Sequence, residues 1–448
     1  MKFTADYDLP GYMERPDVAP RGKITRRPAS MDEASEIVDA YLTENWRTLA
    51  RPPKGELKYP YLVPGSVYNT LWDWDGFFIA AGAPDEAAEY LTGTALDLID
   101  SPLRDGRPSK MSSPDGNFSY GAHPYPLRAQ FLLMCLRRFG DRSILTPERM
   151  EKILRTLEFY ERETADGDGF FRWLSMSGID NNPAVYGRNV GETAGADLMS
   201  FHLREYLAVA ELLEMGGESG VVYRDRAEKV KQLLLRRHRN EKDGFFYDLH
   251  RPVAPLIRKQ RITWVNRIPY RGCSGVFPLW AGAADRETVK AAWRIFADEK
   301  EFMTPWGIRS LSKREPMYNN APGANPSNWQ GPIWSLPNAL LAYALNEAGM
   351  REEALELAGR LVALLASDIL SNGCLHECYD AETGEPLMKP GFISWHLLAL
   401  ELRRKIANGT SPFRPHLRSG GPLRQIADKI RTEHQKRRFP SCMIPHFR

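Results

Sequence analysis

The sequence predicts an all-α protein, an (α/α)6 barrel with short β-hairpins in the loops on its active-site face. Three observations predict it. Eleven segments carry helical apolar spacing, or twelve if the one opening with Phe77-Phe78-Ile79-Ala80 stands alone, and period-two strand pattern is almost absent. Amphipathic segments such as Arg226 to Arg239 alternate with more apolar ones such as Ser335 to Leu345, as an outer ring packed on an inner ring requires. A weak repeat follows surface segments: Asp168-Gly169-Phe170-Phe171, then Asp243-Gly244-Phe245-Phe246, and more loosely Asn372-Gly373-Cys374-Leu375. Its Asp-Gly and Asn-Gly pairs are turn signals, and the short alternating runs after them read as hairpins.

Taken in order, residues 1–30, with Pro10, Pro16, Pro20 and Pro28, form an irregular lead-in. Met31 to Leu42 reads as the first helix, acidic in its first turn, with Ile37, Ala40 and Tyr41 on one face. Helices follow over Asp85 to Ile99, Leu127 to Arg138 (stopped by Phe139-Gly140), Pro147 to Thr164, Thr193 to Met215 and Tyr223 to Arg239. Later ones cover Gly275 to Ala283, Glu287 to Asp298, Ser335 to Ala348, Glu352 to Ile369 and Ser394 to Ala407. The barrel thus spans 31–407, and 408–448 is a basic, Pro-containing tail.

Of 448 residues, 26% are charged and 43% hydrophobic, the composition of a soluble globular protein. No apolar run is long enough to span a bilayer, and Met1-Lys2-Phe3-Thr4 opens no secretory signal, so a cytoplasmic protein is expected. Five scattered cysteines make no disulfide framework. Residues 403–448 carry 12 Lys/Arg against 2 Asp/Glu, but without the interleaved aromatics of a base-stacking surface. Neither nucleic acid nor membrane is expected as a partner; self-association stays open.

Chemistry concentrates in loops. Ser177-Gly178-Ile179-Asp180-Asn181-Asn182-Pro183 puts a carboxylate among turn formers, just after Trp173. Alone it reads first as an Asx-turn. A second acid-aromatic turn, His376-Glu377-Cys378-Tyr379-Asp380, gives it company. Two loop carboxylates beside aromatics suit acid/base chemistry on a sugar, one protonating the leaving oxygen and the other activating water. Trp72-Asp73-Trp74-Asp75 sets two acids between indoles; an indole covers a sugar's C–H face while an acid accepts its hydroxyls, and Asp75 is the preferred contact. The alternative is an N-capping Asp above a core cluster. His123 and Tyr125 can line a pocket or be structural, and Arg107 can serve hydroxyls or a substrate carboxylate, or be a solvated loop cation. The run Asn325 to Asn338 is pinned by Gly331, Pro332 and Pro337, so Gln330 and Trp334 are expected to meet a ligand. Seven of 11 Trp, including Trp395, lie in or beside these loops. Asp166-Gly167-Asp168-Gly169 lacks the later ligands of a calcium loop and reads as turn chemistry.

Together, Ser177-Gly178-Ile179-Asp180-Asn181, Asn328-Trp329-Gln330-Gly331-Pro332-Ile333-Trp334 and Glu377-Cys378-Tyr379-Asp380 with Thr383-Gly384 resemble family 63 glycoside hydrolases. That family includes bacterial α-glucosidases and mannosylglycerate/glucosylglycerate hydrolases, with trehalases related. The resemblance covers roughly 60–400 and implies inversion at an α-linked glucoside or mannoside of a small glycoside or oligosaccharide. It makes Asp180 the general acid and Glu377 the general base, with Trp74, Asp75, Trp329, Gln330 and Trp334 at the sugar. Arg107, His123, Trp173, Tyr379 and Trp395 complete the expected binding set. Gln330 departs from the Arg that many members carry, which removes a cation, and the long insertions of many members are missing. No metal or organic cofactor is implied, and the partner is a small carbohydrate. Two rivals stand beside this reading: a sugar epimerase or isomerase using His123, His376 and His396, since one fold hosts several chemistries, and a non-catalytic carbohydrate-binding protein.

Overall fold

Three helix starts follow capping chemistry written in the chain. The computed structural model describes residues 22–413 apart from 66–67, 122, 176, 252–265, 321–326 and 389. The first 21 residues of the lead-in and the tail beyond 413 lie outside the described residues. Twelve α-helices occur among those described: α1 Met31–Asn45, α2 Asp73–Gly82, α3 Ala88–Asp100, α4 Arg128–Phe139, α5 Pro147–Glu163 and α6 Ala196–Met215, then α7 Val221–Leu233, α8 Phe277–Trp280, α9 Arg286–Phe296, α10 Ser335–Glu347, α11 Arg351–Asn372 and α12 Leu402–Ala407. Ser30, Thr146 and Asp285 cap α1, α5 and α9, each side chain accepting from the N–H three residues on. Left-handed glycines, Gly140 and Gly373, close α4 and α11.

Six segments touch in a closed circuit. Phe77 of α2 meets Phe131 of α4 with ring centroids 5.5 Å apart. From there α4 packs on α6, α6 on α8, α8 on α10, α10 on the 3-10 segment Ser394–Ala399, and that segment back on α2. Every residue of α10 from Ser335 to Leu345 is buried, whereas α7 buries only Ala227 and Val230. Helices α7 and α11 pack on α6 and α10, and α1 packs on α11. The alternation read from the sequence is therefore one of burial: apolar segments inside the circuit, amphipathic ones against it.

Among the described residues the strands are two residues long and antiparallel: β1 Ala50–Arg51 with β2 Tyr61–Leu62, β3 Leu71–Trp72 with β4 Met111–Ser112, β5 Thr193–Ala194 with β6 Leu249–His250, β6 in turn with β7 Asn266–Arg267, and β8 Met303–Thr304 with β9 Gly307–Ile308. Short hairpins close at Ala165 with Phe171 and Arg239 with Phe246, where the Asp-Gly pairs stand. The third repeat differs: Gly373 ends α11, and the hairpin forms later, where Tyr379 faces Pro386. Asp166 accepts from the N–H groups of Asp168 and Phe170 in an Asx-turn and pairs with Arg251 at 2.8 Å.

Several helix boundaries move: the segment expected over Gly275 to Ala283 is α-helical only over Phe277–Trp280, after a 3-10 turn, and the one expected over Tyr223 to Arg239 is α-helical over Val221–Leu233. Thr193-Ala194 is strand because its backbone pairs with β6, and α6 starts only after extended Gly195. The stretch expected over Ser394 to Ala407 breaks at extended Leu400 and left-handed Glu401. Asp85 to Ala87 is a 3-10 turn before α3, since Pro84 precedes it.

Candidate active site

The first acid turn is wedged between aromatics. Asn182 N–H donates to Ile179 O at 3.0 Å, closing the turn with Asp180 partly exposed at its bend. Gly178 N–H donates to the Tyr125 hydroxyl at 2.8 Å. A Cβ at Gly178 would stand 2.9 Å from that oxygen and 3.1 Å from the Trp74 ring, so glycine is what lets the turn come this close. Trp173, 1% exposed, packs edge-on against Tyr125 and donates its indole N–H to Asp197 at 3.2 Å.

The second acid turn is built from α11. Glu377, 6% exposed, lies between His376 and Tyr379, and both of these bond to Asp368 of that helix. Leu387 N–H donates to Cys378 O at 3.0 Å, the start of the returning hairpin strand.

One loop joins the two turns. Asn181 accepts from Trp329 N–H at 2.6 Å and donates to Asn328 Oδ1 at 2.9 Å, while Gln330 Nε2 donates to Asn181 O at 2.9 Å. Four residues further, Ile333 and Tyr379 exchange backbone hydrogen bonds of 2.8 and 3.1 Å. Four residues of extended chain reach at most about 14 Å, which bounds the separation of the two attachment points. Gln330, expected at the ligand, thus has its amide donor on the acid turn and accepts from Asn319 at 3.1 Å.

Asp75 forms an acid cluster with Asp73 and Asp180. It accepts from Ser394 Oγ at 3.2 Å. Burial pushes it up to about 7 against the opposing pull of that hydrogen bond, and the charges of Asp73 and Asp180 push it further. The Asp180 charge therefore acts on the Asp75 carboxyl. Beside them Trp74 stacks on Tyr125 at 4.9 Å and meets Trp329 and Trp395 edge-on at 6.3 and 6.1 Å.

The remaining expected residues divide. Trp329 and Trp334 stack on each other at 4.0 Å, both 2% exposed or less, with their indole N–H groups on Ser327 and on Asn328 O. They form a floor that stiffens the joining loop. Tyr379 is fully buried, its hydroxyl donating to Asp368 at 2.8 Å. Trp395 belongs to the Trp74 cluster, and among the described residues its buried Nε1 has no hydrogen-bond partner. His123 is buried between Tyr160 and Trp173; its Nδ1 accepts from Leu174 N–H at 3.1 Å, and burial holds the ring well below the ordinary imidazole range. Arg107 lies over Phe159 at 5.5 Å, half-buried.

Three buried acids, Asp197, Asp248 and Asp368, were not singled out in the sequence, and Asp73 was read only as the neighbour of Asp75. Asp73 accepts from Tyr125 N–H at 2.8 Å and shares its neighbourhood with Asp75. Asp248 accepts from Ala196 N–H at 2.7 Å and Ser274 Oγ at 3.1 Å, and lies 3.4 Å from Asn182 Nδ2. Burial raises both Asp197 and Asp248, and the Asp248 charge raises Asp197 further. Asp368 completes the set. Acids isolated inside apolar helix, as in Leu365-Ala366-Ser367-Asp368-Ile369, are the signal that could have found two of them.

An open groove of about 690 Å³ lies elsewhere, lined by Arg239, Asp243, Arg271 and Glu301 among others; it holds none of the candidate residues, and Arg271 pairs with both Asp243 and Glu301. Among the described residues no group of three or more His, Cys, Asp or Glu could hold a metal ion, and no helix is long and apolar enough to cross a membrane.

Two acid turns laced to one indole-rich loop stand in a helix-rich frame, and the family comparison places the chain among the glycoside hydrolases. The chain belongs to the mannosylglycerate hydrolase MGH1-like glycoside hydrolase family, whose model matches residues 68–395, within glycoside hydrolase family 63. A probable mannosyl-oligosaccharide glucosidase of Schizosaccharomyces pombe is 24% identical over 301 residues, 58% of this chain and 36% of that protein. The chain therefore spans little more than a third of that curated relative. The solved mannosylglycerate hydrolase of Thermus thermophilus, in complex with Tris and D-glycerate, is 17% identical with a TM-score of 0.60, covering 83% of this chain and 100% of that one. The neutral trehalase of Saccharomyces cerevisiae is 16% identical with a TM-score of 0.58, covering 79% and 76%. These two likenesses carry the fold.

Proposed function

We propose that this chain is an inverting α-glycosidase that cleaves an α-linked glucoside or mannoside from a small glycoside or oligosaccharide. In this reading residues 31–407 are one catalytic (α/α)6 barrel, and the closed circuit of six buried segments supports it. The carrying observation is the joining loop: Asn181, next to Asp180, and Tyr379, two residues from Glu377, bond to the same stretch of backbone four residues apart. That lacing suits two carboxyls acting on one bond.

Asp180 protonates the glycosidic oxygen as the bond to the anomeric carbon breaks. Glu377 takes a proton from a water attacking the opposite face, so the new bond forms with inverted configuration. Such pairs stand roughly 6.5–9.5 Å apart, leaving room for the water. Asp75 accepts sugar hydroxyls, and the Trp74–Trp395 corner supplies an apolar wall with a spare indole donor.

The isomerase reading needs imidazoles free to shuttle protons. His396 has both nitrogens engaged, with Ser335 Oγ at 2.6 Å and His376 O at 2.8 Å, and His376 Nδ1 faces Asp368 at 2.9 Å. Two of the three imidazoles that reading needs are thus held by neighbouring side chains and backbone, which favours the hydrolase. The test is turnover of α-glucosides and α-mannosides, including trehalose, glucosylglycerate and mannosylglycerate, by wild type, Asp180→Asn and Glu377→Gln. Release of free sugar from at least one by wild type and loss in both variants is expected; full activity in either variant overturns its assigned role.

A further inference from the structure

Resting on the reading of Glu377 as base, we propose that Asp368 is a positioning residue for the base turn, acting through His376 and Tyr379. Asp368 is fully buried on α11, outside the acid cluster. Its carboxylate accepts from His376 N–H at 3.0 Å, His376 Nδ1 at 2.9 Å, the Tyr379 hydroxyl at 2.8 Å and Asn372 Nδ2 at 2.8 Å. Three of these four donors come from the two residues that bracket Glu377. One carboxylate thus grips the turn on both sides of the base.

A second anchor holds the same turn. The His376 carbonyl can only accept, so His396 Nε2 carries the proton of that 2.8 Å bond, and its Nδ1 accepts from Ser335 Oγ at 2.6 Å. Burial pushes His396 down to about 4, so this arrangement persists across neutral pH. With the Tyr379 backbone paired to Ile333, the chain on either side of Glu377 has little freedom to move.

A buried carboxylate is weak as a stabilising device, because desolvation offsets much of what its hydrogen bonds contribute. Its donors are concentrated on a single functional turn, which is the pattern of a group that fixes where another side chain points. Displacing a reacting group by about 1 Å lowers turnover by about 10²-fold, while ground-state binding depends on other contacts.

The experiment uses α-D-glucosyl and α-D-mannosyl fluoride, whose leaving group departs with little acid assistance, so the rate reads the water-attack side. Asp368→Asn should lower kcat by about 10²-fold with KM changed less than about threefold, and Tyr379→Phe, which removes one donor, by about tenfold. In the Glu377→Gln background Asp368→Asn should slow turnover no further, because both act on one step. If Asp368→Asn does not fold, Tyr379→Phe carries the same comparison. Unchanged kcat in the folded variant, or losses that multiply in the double variant, would overturn the proposal and leave the base reading standing. Full activity of Glu377→Gln, or no turnover of either fluoride by wild type, would overturn the base reading and this proposal with it.

Discussion

The Asn181 side-chain carbonyl accepts a hydrogen bond from the Trp329 backbone N–H at 2.6 Å. That single bond ties the acid turn to the loop that also carries the base turn. Asn181→Ala leaves a buried N–H without its partner, which costs about 1–3 kcal/mol. The variant is expected to melt earlier and to lose kcat more than it gains KM, as thermal unfolding and steady-state kinetics would record. An unchanged melting temperature would deny the loop its clamping role.

Asp180→Asn preserves shape and removes the proton donor. On an α-glycoside with a poor leaving group kcat should fall by ~10²–10⁴-fold, the range of general acid catalysis. On the matching glycosyl fluoride the loss should be much smaller, since fluoride leaves without being protonated. Equal losses on both would argue that Asp180 binds substrate and does not protonate it.

Asp75 sets a pH dependence. Its carboxyl, pushed up to about 7 by burial, is neutral below that pH and ionised above it. Hydrogen bonds from sugar hydroxyls are stronger to the ionised form. KM should therefore fall as pH rises through about 7 and then level off, and Asp75→Asn should raise KM and flatten its profile. A KM insensitive to pH in wild type would remove Asp75 from the sugar.

Much of this frame was legible. The helices were found because inner ones such as α10 bury every side chain from Ser335 to Leu345 and outer ones such as α7 bury a stripe. Gly140 stopped α4 as read, because a left-handed residue ends a helix wherever it stands. Leu400 and Glu401 gave no warning: neither Gly nor Pro marks that break, and Asp39, far away in sequence, accepts the Glu401 N–H at 2.6 Å. Aromatic loops pointed to the right neighbourhood, yet Trp329, Trp334 and Tyr379 turn inward to hold the acid turns, since two stacked indoles hide each other's faces. Asp197, Asp248 and Asp368 were overlooked because their partners come from other helices and loops, which spacing along one chain does not reveal.

The Asp197–Asp248 pair makes stability depend on pH. Burial raises both carboxyls above their ordinary range, so the folded protein holds protons that the unfolded chain has released. Stability from such groups is complete below the unfolded carboxylate range and is lost as pH rises toward the raised folded values. Asp197→Asn keeps an acceptor for the Trp173 indole and removes one titrating group. Between pH 5 and pH 8 its melting temperature should gain on that of wild type. A constant difference across that window would mean that Asp197 is ionised in the folded state.

The most direct test of the central claim is time-resolved proton NMR of the first sugar anomer released from an α-linked substrate. Inversion by Asp180 and Glu377 predicts the β-anomer first, with the α-anomer appearing only through later mutarotation. Initial release of the α-anomer would contradict the account, because it would make the second carboxyl a nucleophile.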